Sequence, residues 1–280
     1  MCLACGEHVA ERLWYLEPEK HCIRSMGLLR DTINEYLHPL VSTALKVFRW
    51  KQPYGAFRFT GVSKGALNWL TRTWHGVQVL PDQDTAFKVI DMANELALIP
   101  CVCRQVLNPD LPLEWKCIGL NIAARVYFRH QAQNPVRAIN KQEAKSIVAD
   151  WRQRGAYLSV GWLWDANVIW LCSCDEYCGG HRVPEVEWST VPSFVASGLV
   201  RPEECNGCQE CARWCHRPGA LTFQDGRVVH NQAMCLGCGQ CIEHCPTNAL
   251  GYVPRTVFYD LLTKKVRPLG EGAIKLSSLE

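Results

Sequence analysis

From Ser25 to Phe48 the apolar residues Leu28, Leu29, Ile33, Leu37, Leu40, Val41, Ala44, Leu45 and Val47 recur near helical spacing. Pro39 interrupts them, so two helices or one kinked helix are expected. A shorter helix is predicted after Ser63, carrying Leu67, Leu70 and Trp74. Another opens after Asp82 or Asp84, with Ala86, Phe87, Ile90, Ala93, Leu96 and Ala97 on its apolar face. Asn121 to Arg129 reads as a helix, and Asn140-Lys-Gln-Glu143 resembles a capping box that starts a helix reaching about Arg154. Strands are predicted at Tyr157–Val160 and in two short apolar runs, Glu95–Pro100 and Asn167–Leu171, each ending in Cys-x-Cys. Further on, Ala220 to His230 reads as a hairpin turning at Asp225-Gly226.

Helices alternating with short strands indicate an α+β fold, a mixed helical and small-sheet upstream domain followed by a smaller module. Pro192, Gly198 and Pro202 punctuate the join. The expected divisions are a mainly helical region over 1–78, an α+β cysteine-rich domain over 79–190, the module over 198–255, and a tail over 256–280. Lys275-Leu-Ser-Ser-Leu-Glu within that tail carries no pattern and reads as a vector-derived scar.

Thirty basic and 27 acidic residues in a chain of 280 leave a net charge of +3, too balanced to point to nucleic acid as a partner. No apolar stretch reaches the length of a membrane span, and the start, Met1-Cys-Leu-Ala-Cys-Gly, lacks the blocks of a secretion signal. A cytoplasmic location is therefore expected. No Gly-rich phosphate loop or dinucleotide fingerprint follows a strand, and no CxxxCxxC stretch is present, which gives no support to nucleotide, flavin or radical chemistry.

Seventeen cysteines change the picture. In a reducing compartment thiols stay free, and so many favour metal ligation over disulfides. Cys205, Cys208, Cys211 and Cys215 recur at Cys235, Cys238, Cys241 and Cys245 with a constant offset of 30 residues, an internal duplication. Cysteines at every third position wrap three thiolates around three irons of a cubane, and the fourth iron needs a distant ligand. Structural zinc sites more often pair separated CxxC motifs. Gly207, Gly237 and Gly239 let the backbone approach the group. Pro246 closes the second run, where the first has His216.

Residues 200–254 resemble a bacterial-type two-cluster [4Fe–4S] ferredoxin, most specifically in Met234-Cys-Leu-Gly-Cys-Gly-Gln-Cys-Ile-Glu-His-Cys-Pro-Thr-Asn-Ala-Leu. The resemblance implies that Cys205, Cys208, Cys211 and Cys245 hold one cluster and Cys235, Cys238, Cys241 and Cys215 the other.

A second set comprises Cys101, Cys103, Cys117, Cys172, Cys174 and Cys178. In a strand, residues i and i+2 share a face, so two neighbouring strands ending in Cys-x-Cys would bring four thiols together, with Cys117 and Cys178 reaching in. A third metal site, an iron–sulfur cluster by its company, is one reading. The other is that cysteine, small and readily buried, fills the inner face of the strands. Trp162, Trp164, Trp170 and Trp188 surround this region, either as core or as a shield around a cluster. His181 is a candidate loop residue near Cys178, and Cys2 and Cys5 are possible extra ligands.

Residues about 75–255 also resemble a family of uncharacterised anaerobe iron–sulfur proteins, through Leu80-Pro81, Cys101-Val-Cys-Arg, Trp115-Lys-Cys117-Ile-Gly-Leu, Ile139-Asn-Lys-Gln-Glu-Ala and Leu171-Cys-Ser-Cys. That family implies the architecture and no reaction. The expectation is an electron-transfer protein carrying low-potential electrons through two clusters, to or through a third, with a redox protein as donor or acceptor. The alternatives are a reductase with the upstream thiols as its catalytic site and a redox-sensing module stabilised by metal.

Overall fold

The computed structural model describes residues 75–101, 103–104, 112, 114–129, 135–163, 167–175, 190–260 and 265–268. The helices expected between Ser25 and Trp74, and Cys2, Cys5, Cys22, Cys178, His181, Trp164 and Trp188, lie outside them.

The first unit is a seven-stranded sheet in the order β4-β2-β3-β6-β5-β1-β7. Its strands are β1 (His75–Val79), β2 (Leu96–Pro100), β3 (Trp115–Leu120), β4 (Arg137–Ala138), β5 (Tyr157–Leu163), β6 (Asn167–Cys174) and β7 (Thr190–Val191). All neighbours run antiparallel except β1 and β7. Three helices connect them, α1 (Gln83–Met92), α2 (Ile122–Arg129) and α3 (Lys141–Gln153).

The two faces of the sheet do different work. On one, Leu98, Ile118, Leu158, Val160 and Leu171 pack against Ala86 and Ile90 of α1 and Ala144 and Val148 of α3. On the other, Ala97, Ile99, Cys117 and Trp170 pack against Ala123, Ala124 and Tyr127 of α2. Further along that second face, Val79, Tyr157 and Cys174 meet Leu236 and Cys238 of the second unit.

The second unit holds the duplicated cysteines. A strand pair, β8 (Val195–Leu199) with β11 (Leu250–Pro254), and a hairpin, β9 (Leu221–Gln224) with β10 (Arg227–His230), frame two short helices, α4 (Glu210–Arg213) and α5 (Gln240–Glu243). The helices stand 30 residues apart, as do the cysteines beside them, so the duplication in sequence is a duplication of backbone. The hairpin turns at Asp225-Gly226 as expected, both with positive φ (49° and 73°), the conformation an Asp-Gly turn supplies. A last pair, β12 (Val257–Asp260) with β13 (Lys265–Pro268), occupies the region expected as a tail.

The α+β reading holds, and several elements fall where the pattern places them. Asp82 caps α1 by accepting from the Thr85 N–H (2.8 Å), and Asn140 caps α3 by accepting from the Glu143 N–H (2.8 Å). Leu96 and Ala97, expected on the apolar face of α1, begin β2 instead, because Ala93 is extended and ends the helix. Strand β3 is hidden in the sequence, since Trp115-Lys-Cys-Ile-Gly-Leu has too little alternation to announce itself. Strand β1 crosses the division expected between residues 78 and 79, and β8 begins before the one at 198.

Polar and packing contacts lock the units together. Arg152, at the end of α3 and only 2% exposed, makes a bidentate pair with Glu243 (2.7 and 3.0 Å) and donates to the Pro81 carbonyl. The buried Gln240 amide donates to the Ala156 and Arg152 carbonyls (2.8 and 3.3 Å). The Tyr252 hydroxyl donates to the Pro81 carbonyl (2.6 Å). The Trp214 ring lies where a side chain at Gly155 would stand, and only a glycine, here at φ +84°, admits it.

Replacing Asn140 by Ala removes the cap of the helix that carries this lock. The expected loss is about 1 kcal/mol of unfolding free energy, read from the midpoint in urea with an unchanged slope.

Candidate functional site

The ligand loops owe their shape to residues with positive φ. Gly207 and Gln209 (71° and 62°) in the first loop match Gly237 and Gly239 (70° and 73°) in the second, again 30 positions apart. A side chain at Gly237 would overlap the Val195 carbonyl oxygen, and one at Gly239 the Tyr252 hydroxyl. The backbone therefore presses close to its cysteines, and the Gly237 N–H donates to Cys235 Sγ (3.2 Å). At the centre, Trp214 and its counterpart His244 stack at 3.6 Å and 17°.

The thiols fall into two neighbourhoods that cross the repeats. Cys211 is pushed up to about 11, first by burial and then by Cys208 and by Cys245 from the other repeat. Cys238 is pushed up to about 12 by burial, with Cys235 and, from the first repeat, Cys215 adding to the effect. Cys241 is raised by burial and by Cys238, Cys235 and Cys215. Burial raises Cys215 also, with Cys235 as its nearby like charge. Burial acts upward on Cys245 as well, yet backbone N–H donors of Leu250, Thr247 and Ala249 and the Thr247 hydroxyl bring it below its usual range. Several thiolates facing each other in apolar surroundings repel, and a cationic iron–sulfide core relieves that repulsion.

One buried cation fits such a group. Arg255 is 1% exposed and donates to the carbonyls of Ser193, Gln232, Val195 and Cys235 (2.6–3.0 Å). Among the described residues no carboxylate pairs with it. Burial lowers its affinity for the proton, and the charge of Cys235 works the other way. A buried guanidinium without a carboxylate is costly unless another anion stands near it. An iron–sulfur cluster with four thiolate ligands is such an anion.

Among the described residues, no three His, Cys, Asp or Glu side chains gather tightly enough to hold a single metal ion. A cubane asks for a wider spacing, because each thiolate meets its own iron.

Upstream, the two Cys-x-Cys strands are not neighbours. Strand β3 lies between β2 and β6, and its Cys117 stands directly opposite Cys172. Cys101 and Cys103 lie past the end of β2, with Cys103 and Arg104 in a helical turn, so strand alternation does not pair them. They still converge. Thiol hydrogen bonds link Cys101 to Cys103 and Cys117, and Cys117 to Cys172. Donation from Cys103 and Cys117 brings Cys101 well below the usual thiol range despite its burial, whereas the bonds to Cys101 and Cys172, with burial, push Cys117 well above it. The Arg104 N–H also donates to Cys101 Sγ (3.3 Å), and Trp170 packs in the same cluster.

Cys174 departs from this group. It sits across from Tyr157 and beside Ser159 (3.5 Å), in the buried cluster that also holds Val79 and, from the second unit, Leu236 and Cys238, while Cys172 packs with both groups. Sequence reasoning has no signal for this contact. It also misses Arg152 and Arg255, because nothing local distinguishes a buried arginine from an exposed one. Next to the upstream thiols, Lys116 is held charged, against the effect of burial, by Asp175 and Glu114, and Arg104 pairs with Glu114 (2.9 Å).

Residues 228–251 match the 4Fe-4S binding domain family. The chain is 31% identical over 74 residues to the pyruvate synthase subunit PorD of Thermotoga maritima, 26% of this chain and 73% of that protein. It is 40% identical over 53 residues to the formate dehydrogenase iron-sulfur subunit of Haemophilus influenzae, 18% of this chain and 17% of that protein. It is 30% identical over 92 residues to a tetrathionate reductase subunit of Archaeoglobus fulgidus, 30% of this chain and 44% of that protein. The chain spans about a quarter or less of the length of most of the curated relatives it matches. No solved structure matches it. No described helix is long and apolar enough to cross a membrane. With its duplicated loops, crossed thiols and buried guanidinium, the chain belongs through its second unit to the 4Fe–4S ferredoxin family, and it is an iron–sulfur protein of electron transport.

Proposed function

We propose that the chain is a three-site electron conduit, with two [4Fe–4S] clusters in the second unit and a third iron–sulfur site on the sheet. Cys205, Cys208, Cys211 and Cys245 would hold one cluster, and Cys235, Cys238, Cys241 and Cys215 the other. The crossed electrostatic neighbourhoods support this division. Bound clusters would supply one-electron chemistry at low potential, and the residues of this chain orient, insulate and tune them. Cys101, Cys103, Cys117 and Cys172 would hold the third site, with Cys178 as a further candidate.

The observation that carries the reading is that Cys172 packs both with the upstream thiols and with the buried cluster that contains Cys174 and Cys238. Cys172 and Cys174 share one face of β6, separated by about 6.6 Å along the strand. A path of sulfur and aromatic side chains therefore runs from the upstream thiols to a cluster ligand without leaving the buried face. Relatives named as iron–sulfur or oxidoreductase subunits make a redox protein the natural donor.

Anaerobically purified protein should hold at least about eight irons and eight sulfides per chain, the content of two cubanes. Cys208→Ser should lower iron by about four, as should Cys238→Ser, each leaving the other cluster in place. A protein whose iron saturates near eight, with nothing bound at Cys101 or Cys117, would remove the third site.

Arg255 should raise the potential of the cluster beside Cys235. Two unit charges about 8 Å apart interact by about 2 kcal/mol at an effective dielectric constant of about 20. For a one-electron couple that is on the order of tens of millivolts. Arg255→Met should lower the potential of one cluster by that order and Arg255→Lys by less, measured by spectroscopic redox titration. Equal potentials in all three proteins would show that the guanidinium is not the countercharge.

A further inference from the structure

A cleft of about 1080 Å³ lies where the two units meet, with Cys215 on its wall. It exceeds the volume of most small-molecule sites, about 300–1,000 Å³. One wall is the first repeat's departure from the ferredoxin pattern. Where the second repeat has His244-Cys245-Pro246, the first has Trp214-Cys215-His216, followed by Arg217. His216 Nε2 donates to the Gly155 carbonyl (2.7 Å) and its ring meets Tyr157 edge-on, so the substitution is built into the join.

The facing wall comes from the sheet and α3. It brings Lys116 and Arg154, which with Arg213 and Arg217 make four cations on the lining against two carboxylates, Glu114 and Asp175. Arg154 and Arg213 pair with Asp150 and Glu210 outside the lining, and their side chains are 72% and 77% exposed. Exposed pairs contribute little, so these guanidiniums can turn to an incoming anion at small cost. Lys116 is tied to Asp175 and Glu114 and holds its place. Trp115 and Trp214 add flat apolar surface.

Resting on the iron–sulfur reading above, we propose that this cleft binds a flat, conjugated organic anion that exchanges electrons with the cluster held by Cys215. A two-electron reduction of such a ligand would need two protons from solvent and two electrons, which two bound clusters would supply one each, the reduced redox-protein donor restoring them. The conduit thereby has a small-molecule terminus on the side of Cys215, separate from the thiols around Cys117.

The test uses the full chain with its clusters in place and anthraquinone-2,6-disulfonate as the flat anion, with cationic methyl viologen as control. Quenching of tryptophan fluorescence in the oxidised protein should saturate with the anthraquinone. Arg154→Glu, which replaces no cluster ligand, should weaken that binding about tenfold, and Arg154→Glu with Arg213→Glu further still, at unchanged iron content. Oxidation of the reduced protein should saturate with the anthraquinone and follow the same order of variants, while methyl viologen should not. Iron-replete protein that shows no saturable quenching, or equal affinity in the variants, overturns the cleft proposal alone. Protein without iron overturns the reading on which it rests.

Discussion

The burial of one ligand loop against a sheet is the constraint on which the rest depends. Leu236 and Cys238 press onto the sheet face at Val79, Tyr157 and Cys174, and no water separates apolar surfaces packed in this way. For that contact to form, Arg152 in the last turn of α3 must pair with Glu243, Gln240 must reach the Ala156 carbonyl, and Gly155 must leave room for Trp214. The second unit is thus held in one orientation toward the upstream thiols. A ferredoxin tethered by a flexible linker would sample many.

The two repeats share a backbone and differ in surroundings. Three of the thiols of the Cys235 set, Cys235, Cys238 and Cys241, are buried, whereas Cys208 of the other set is exposed. Arginine charges act on Cys215, Cys238 and Cys235, while backbone N–H groups act on Cys245. Burial disfavours adding an electron to an anionic cluster, and a nearby cation favours it. The two clusters proposed for the duplicated sequence would therefore differ in potential, with the difference set by residues outside the duplication.

What is legible in the sequence is local. The spacing of eight cysteines, the Asp-Gly turn and the Asn140 cap each depend on a few adjacent residues. What stayed hidden is non-local. Strand β3 gives no period of its own, so Cys117 looked like a residue reaching in when it is the centre of the upstream set. Cys174 shares a strand face with Cys172, but its place in the buried cluster with Leu236 and Cys238 depends on residues about 60 positions away. Arg152 and Arg255 carry no sequence mark, because burial of a guanidinium is decided by the carbonyls and carboxylates that fold around it. The departure at His216 was visible, but its consequence, a cleft wall, needed the opposite wall to be seen.

Iron-edge anomalous scattering from anaerobic crystals tests the central claim most directly. The account predicts iron at two positions in the second unit, each bound by three cysteines of one repeat and one of the other, and iron at a third position among Cys101, Cys103, Cys117 and Cys172. Iron held by the four cysteines of a single repeat, or zinc at the upstream thiols, would contradict it.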